Sequence, residues 1–331
     1  MAKSILISNV LPPESMAIIP SDVQVDYHDS ELALSRAQLI ERLHGKDGLV
    51  CHILSVIDDE LLAACPRLRV VANVAVGYNN IDVAACTRSG VMVTNTPGVL
   101  DESTADLAWA LILATARRVT EAEAYLRSGE WKRWFLKQML GADVHHATLG
   151  ILGMGRIGQA IARRAAGFEM KVLYHNRNRV DRDIEERCRA SYVTRDELLK
   201  QSDFVVLQVP YSRETHHLIG ARELKLMKPT AILVNSTRGG VVDDAALIEA
   251  LRSGVIRAAG LDVFENEPRL NPEFLRLDNV VLMPHIGSST EATRRAMAMT
   301  AAQNLVAALT GGRPPNLLNP EVKKASIASR S

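Results

Sequence analysis

Three glycines, Gly153, Gly155 and Gly158, follow a short apolar run at residues 149–152 with G-x-G-x-x-G spacing, and beyond Gly158 the pattern turns helical. Residue types in this order can hold a pyrophosphate. Gly153 would allow the tight turn out of a strand, Gly155 would let backbone approach the anion, and Gly158 would let the next helix pack closely on that strand. The backbone of Gly153, Met154, Gly155, Arg156, Ile157 and Gly158 would then offer unpaired amides at a helix N-terminus. Spacing alone is a weak signal, because loops collect glycines. The strand pattern before it and the amphipathic helix after it supply the context of a dinucleotide site.

A dinucleotide also needs a reader for its adenosine ribose, about 20 residues beyond the first glycine and at the end of the next strand. That point falls on Tyr174, His175, Asn176 and Arg177, where no carboxylate stands; Asp181 and Asp183 come too late in the loop. Without a carboxylate a 2′-phosphate is not repelled, and Arg177 supplies a cation to meet it. The expected cofactor is NADP(H), with NAD(H) as a second, less favoured partner. The competing reading leaves Arg177 as an exposed loop residue stacked on adenine.

Strands and helices must carry these residues to one place. Apolar runs at 4–7, 23–25, 49–53, 70–74 and 91–94 predict strands, with helices near 35–43, 58–64 and 81–89; Ser35 with Gln38 forms a capping box, and Gly90 sits where a helix should stop. Residues 101–118 predict a helix capped by Ser103 or Thr104 and closed by Arg117 and Arg118, apolar around nearly its whole circumference and therefore buried. From 149 the α/β alternation resumes with strands at 171–174, 204–209, 231–235, 258–262 and 280–283, and helices at 196–200, 222–227 and 243–253. Runs such as FVVLQV and AILV, apolar on both faces, predict strands covered by helices on two sides, hence a doubly wound parallel sheet. A last long helix is expected at 290–309, and residues 321–331 are polar and expected to fray.

Between these blocks, residues 120–146 carry Trp131 and Trp134 among many charges and few strand signals. They read as an arm that packs on a second subunit, or as a surface loop with a satellite apolar cluster. Composition limits the partners. With 331 residues, 47% apolar and 23% charged, the chain suits two soluble domains, and a net charge of +1 points neither to nucleic acid nor to an anionic membrane surface. The strongly apolar stretch 107–116 is about half the length of a membrane span. Cys51, Cys65, Cys86 and Cys188 lack C-x-x-C spacing, so neither a zinc site nor a disulfide framework is expected, and a reducing cytoplasm fits. The pairs His145-His146 and His216-His217 have no ligand spacing and read as structural; no metal is expected.

Three further stretches each end a strand of the second sheet, where open α/β sheets place ligands: NSTRGG at 235–240, LDVFENEP at 261–268 and PHIGSS at 284–289. Together with GMGRIG and the VGYNNID run at 76–82 they resemble the D-isomer-specific 2-hydroxyacid dehydrogenases, over residues 48–320. Within that family the runs 141–158 and 175–178 look most like glyoxylate/hydroxypyruvate reductases and the 2-ketogluconate reductase branch. Reducing a 2-keto acid needs a cation for the carboxylate, a proton donor for the nascent alkoxide and a hydride held on one face of the carbonyl. Arg238 can grip a carboxylate through two parallel hydrogen bonds. His285 is the expected proton donor, since a free imidazole titrates near pH ~6.5, and Glu267 would accept from its other ring nitrogen. The resemblance assigns the same three catalytic roles. It further implies that the amides of Val76 and Gly77 hold the substrate carboxylate, that Asp262 bonds the nicotinamide carboxamide, and that Asn176, Pro210, Ser236 and Gly287 line the cofactor.

Two details depart from the family pattern. Thr237 stands before the arginine where Ser is usual, a change expected to be tolerated. Some relatives offer a tryptophan from the neighbouring subunit's arm, whereas between Trp134 and Gly141 this chain has Phe135, Leu136, Lys137, Gln138, Met139 and Leu140, which would leave a more open wall for a longer sugar acid. The expected architecture is α/β: a doubly wound parallel (Rossmann) cofactor domain at 100–286, and a smaller flavodoxin-like substrate domain at 1–99 and 287–331, with helices 101–118 and 290–309 as hinge. The expected activity is NADPH-dependent reduction of a small 2-keto acid by a cytoplasmic homodimer joined through 120–146, without nucleic-acid or membrane partners. Phosphoglycerate or formate dehydrogenase activity, and a dinucleotide-sensing corepressor-like binding protein, stand as alternatives.

Overall fold

In the computed structural model, which describes residues 2–322, the chain divides into two compact units. One runs to Leu100 and resumes at Ser289; the other is Asp101–Ser288. The sequence reading draws the boundaries at 99/100 and 286/287.

The first unit holds five parallel strands, β1 (Ser4–Ile7), β2 (Gln24–Tyr27), β3 (Gly48–Cys51), β4 (Val70–Asn73) and β5 (Met92–Thr94), in the order β2-β1-β3-β4-β5. That is the flavodoxin-like order. Side chains alternate between faces: Leu6, Leu49, Val71 and Val93 pack with Leu39, Leu61 and Cys86 of the helices Arg36–Leu43, Asp59–Ala64 and Val83–Arg88. Ile5, Ile7, Val50 and Val70 meet Ala298, Ala301 and Leu305 of Glu291–Leu309 on the other face. Both faces being covered is why these strands read as continuous apolar runs. The Ser35–Gln38 capping box is formed, and Gly90 takes a φ of 72° just after its helix.

The second unit holds β6 (Thr148–Leu152), β7 (Lys171–His175), β8 (Ala190–Tyr192), β9 (Phe204–Leu207), β10 (Ile232–Asn235), β11 (Ala258–Leu261) and β12 (Val280–Leu282). Their order is β12-β11-β10-β9-β6-β7-β8, all parallel. The chain leaves β6 toward β8 and returns to β9 on β6's other side, so the switch point lies between β6 and β9. In β9, Phe204 and Val206 face the cluster containing Trp109 and Ile161, while Val205 and Leu207 face the one containing Leu224 and Leu247.

Some local expectations change. The strand β8 and the helix Arg182–Cys188 before it are not in the sequence reading: β8 is a three-residue edge strand, and the stop signal at the helix end is Arg189 in a left-handed conformation rather than glycine. The helix Asp101–Ala116 starts before Ser103 and Thr104, which sit inside its first turn, and ends before Arg117. Arg118 adopts φ 53° and opens a separate helix, Val119–Arg127. Glu102, Asp106 and Ala110 form an exposed line on the otherwise packed helix, and Glu102 and Asp106 pair with Arg163 and Arg164. Residues 128–147 hold no helix or strand, and the four cysteines are free and buried.

Candidate active site

The glycine loop sits at the switch point of the second unit. A Cβ on Gly153, whose φ is 108°, would run into the carbonyl of Gln208 just past β9, and one on Gly158 would run into the carbonyl of Gly153. Around Gly155 a Cβ would meet nothing within 4 Å, so the loop presents bare backbone with open space before it. The helix Arg156–Ala165 begins there without a side-chain cap, and among the described residues the amides of Arg156, Ile157 and Gly158 have no acceptor. The end of β7 holds the loop in place: Met154 donates its amide to Asn176 Oδ1 at 2.7 Å, and Gly153 donates to the His175 carbonyl at 3.0 Å. Open backbone, free amides and a helix N-terminus fit the phosphates of a dinucleotide.

Past Asn176 the arginines divide. Arg179 is committed to Glu185, which also accepts from Tyr174 Oη at 2.7 Å and is drawn down to about 2 by the Arg179 and Tyr174 hydrogen bonds. Arg177 is exposed and makes no ion pair among the described residues. Its charge helps hold the Glu214 carboxyl below the usual range, after the Ser212 hydroxyl and Glu214's own backbone amide. Pro210 lies exposed in the loop after β9, its carbonyl accepting from Thr215 Oγ1 at 2.7 Å, and the buried Ser236 accepts from Gln208 Nε2 at 2.9 Å.

Strands β10, β11 and β12 end side by side and carry the three candidate catalytic residues. Asn235 closes β10: its Oδ1 accepts from the Thr237 amide (3.1 Å) and hydroxyl (2.9 Å), and its Nδ2 donates to the Arg238 carbonyl at 3.2 Å. Thr237 thus uses the one hydroxyl it shares with Ser. Arg238 is half-buried and donates to the Thr237 carbonyl at 2.7 Å; burial weighs against its charge, and Glu267 supports it. After β11, Glu267 takes the Phe264 amide on Oε1 at 2.8 Å and His285 Nδ1 on Oε2 at 2.6 Å. Burial pushes its carboxyl up, but the His285 hydrogen bond and charge, the Phe264 amide and Arg238 outweigh it, leaving Glu267 below the usual carboxylate range.

His285 follows β12 in a left-handed conformation, φ 54°, which is uncommon outside glycine. Asp262 holds that conformation in place: its two carboxylate oxygens accept from the Ile286 and Gly287 amides at 2.7 and 2.9 Å. Burial raises the Asp262 carboxyl against the pull of those amides. The sequence reading attaches Asp262 to the cofactor alone and misses this role, because its partners are backbone atoms 24 and 25 residues away. It also misses the bracket behind Glu267, where Asp244 accepts the Glu265 amide at 3.1 Å and His217 Nε2 meets Glu265 Oε1 at 2.5 Å. His217 also donates its amide to the Gly240 carbonyl at 2.7 Å, tying the arginine loop to the glutamate loop. Val76 and Gly77 belong to the first unit, on the loop after β4.

The family model described as D-isomer specific 2-hydroxyacid dehydrogenase, NAD binding domain, matches residues 109–287. A glyoxylate reductase of Thermococcus gammatolerans is 51% identical over 98% of this chain and 98% of its own length, and one of Pyrococcus furiosus is 50% identical over 98% and 97%. Among solved structures, a Thermus thermophilus protein aligns with TM-score 0.89 at 42% identity, covering 95% of this chain and 99% of that one. The NADPH-dependent glyoxylate/hydroxypyruvate reductase of Sinorhizobium meliloti, solved with NADP and malonate, aligns with TM-score 0.85 at 32% identity over 97% and 98%. With full-length identity near half and the same parallel α/β units, the chain belongs to the D-isomer-specific 2-hydroxyacid dehydrogenase family.

Proposed function

We propose that this protein reduces a small 2-keto acid of the glyoxylate, hydroxypyruvate or 2-ketogluconate type to the D-2-hydroxy acid, using NADPH. The observation that carries the reading is the His285–Glu267 pair, 2.6 Å long, on the same strand-end edge as Arg238. Arg238 binds the substrate carboxylate and polarises the neighbouring carbonyl. His285, its Nδ1 hydrogen held by Glu267, donates the Nε2 proton to the carbonyl oxygen as negative charge develops there. Glu267 stays ionised through the neutral range, so it favours the protonated ring and fixes its orientation. The amides of Val76 and Gly77 hold the carboxylate. A dinucleotide would supply the hydride when bound; the glycine loop 153–158 and Asn176 would hold its phosphate end, while Pro210, Ser236, Asp262 and Gly287 would line its nicotinamide end, each Asp262 oxygen keeping a second lone pair for the carboxamide. Arg177 favours NADPH because it is exposed and forms no ion pair among the described residues, and the end of β7 carries no carboxylate to repel a 2′-phosphate, the Glu214 carboxyl that feels its charge lying in the loop after β9.

The same reading gives residues 120–146 to contact with a second copy of the chain in the cytoplasm: Trp134 and Leu136 are 71% and 78% exposed, with Trp131, Phe135 and Leu140 also exposed. Sedimentation should show a dimer, and a monomer at micromolar concentration overturns that part. The main test follows nicotinamide absorbance with each of the three keto acids, using NADPH and then NADH. Turnover with at least one acid and a higher kcat/KM for NADPH is expected; no turnover with any of them overturns the proposal.

A further inference from the structure

The loop after β4 has an arrangement that no side chain in it explains. Three successive carbonyls are tied back to the body of the first unit. The Ala75 carbonyl accepts from the Thr96 amide at 3.0 Å, the Val76 carbonyl from Asn95 Nδ2 at 2.9 Å, and the Gly77 carbonyl from Asn73 Nδ2 at 2.9 Å. A trans peptide is planar, so each amide hydrogen points opposite to the carbonyl before it. Anchoring these three carbonyls therefore turns the Val76, Gly77 and Tyr78 amides away from their anchors, and none of the three has an acceptor among the described residues.

The anchors are themselves fixed. Asn73 is 0% exposed at the end of β4, and Asn95 is 7% exposed just past β5. The Asn95 carbonyl accepts from Asn304 Nδ2 at 3.1 Å, and Asn304, buried on the helix Glu291–Leu309, exchanges hydrogen bonds with Asn316 through Oδ1 and Nδ2, each at 3.2 Å. Committing two buried asparagines to the Val76 and Gly77 carbonyls of this part-buried loop makes sense when the amides on the other side have work, because oriented successive N–H groups form a concave anion site. Such preorganised donors need no reorganisation when the charge arrives.

We propose that Asn73 and Asn95 are positioning residues that aim a three-amide nest, made by Val76, Gly77 and Tyr78, at the carboxylate of the substrate. This rests on the reading above that Val76 and Gly77 bind that carboxylate, and it adds the Tyr78 amide and the two asparagines. Neither asparagine touches the substrate; each acts through the peptide plane it holds.

The test titrates oxalate, a two-carbon dicarboxylate, into the 15N-labelled full-length protein without cofactor and follows the three amide resonances. In the wild type all three should shift and saturate together. In Asn95→Ala, which keeps the backbone bonds to Asn304 and Asn316, and separately in Asn73→Ala, the oxalate Kd should rise roughly tenfold, while before oxalate is added the resonances of the second unit match those of the wild type. In turnover assays the same variants should raise the keto-acid KM by a similar factor while kcat changes less than about twofold, a split that simple loss of stability does not produce. Saturating wild-type shifts with an unchanged Kd in both variants overturn the role of the asparagines and leave the carboxylate reading standing. Wild-type amides that ignore oxalate overturn both.

Discussion

The two units meet the demands of chemistry with different materials. In the second, the loops after β10, β11 and β12 present side chains for the proposed chemistry, and they sit in unfavourable backbone and electrostatic states: every non-glycine residue with a left-handed backbone among the described residues lies in that unit, and Asn266 and His285 lie in those loops. In the first unit the left-handed positions are all glycine, Gly45, Gly90, Gly98 and Gly311, and the loop at 75–78 offers only backbone amides aimed by asparagines. Strain of about 1–3 kcal/mol per such residue persists where surrounding bonds enforce it. Asp262 does so for His285 with two amide bonds. At the end of β12 the imidazole of His285 is thus presented from a backbone the chain would otherwise avoid, whereas the amides at 76–78 require only that the carbonyls before them be held.

The sharpest way to break this contrast is to remove the proposed proton donor. His285→Ala should lower kcat by about 10²–10⁴-fold and leave the NADPH Kd within about twofold, as measured by stopped-flow turnover and fluorescence titration. Comparable losses in both would make His285 a structural residue of the loop. Glu267→Gln should act next most strongly. Glu267 lies below the usual carboxylate range, so in the wild type its charge is present across neutral pH, where it holds the Nδ1 hydrogen of His285. Glutamine keeps the shape without the charge, and kcat at pH 7 should fall by about tenfold with the NADPH Kd within about twofold. An unchanged kcat would show that the charge of Glu267 plays no part in the proton transfer. Smaller again is Arg177→Ala, expected to cut the ratio of kcat/KM for NADPH over NADH by about tenfold through the NADPH value alone. An unchanged ratio would return Arg177 to the exposed surface.

The same contrast governs what the sequence makes legible. Both parallel sheets announce themselves, since strands buried on two faces become apolar runs such as 204–207 and 232–234. Arg238, Glu267 and His285 are each ordinary alone, as a surface cation, a solvated carboxylate and one histidine of nine; they stand out by their joint placement at three strand ends of one sheet, matched to a family's motifs. The edge strand Ala190–Tyr192 is too short, with one side chain exposed, to carry a pattern, and the stop after Ala116 is set by a left-handed arginine that no propensity predicts. Backbone function is the hardest to see. Val76 and Gly77 enter only through resemblance to a family, and Asn73 and Asn95 look like ordinary strand-end residues until their partners, four and nineteen positions away, are known. Asp262 likewise looks like a ligand residue until its two amides are found.

The smallest expected effect on activity is also the most direct measure of what the second unit's loops cost. Asp244 is buried at the start of the helix Asp244–Arg252, accepts the Glu265 amide at 3.1 Å, and has its carboxyl raised to about 6, chiefly by burial; the charges of Glu265 and Asp243 add to this, and that amide and His217 oppose it. A carboxyl higher in the folded than in the unfolded state binds its proton more readily when folded. It therefore weakens the fold as pH rises from its ordinary value of 3.8 to about 6, with the full cost present above that range and none below it. Asparagine keeps the shape and an oxygen for the Glu265 amide but carries no charge. Asp244→Asn should consequently match the wild-type Tm near pH 4 and exceed it at pH 8 by about 2–4 °C, with kcat within about twofold because Glu265 stays anchored. A Tm difference that is equal at the two pH values, or lower at pH 8, would show that Asp244 carries no buried charge and that the cost of this site lies in its backbone alone.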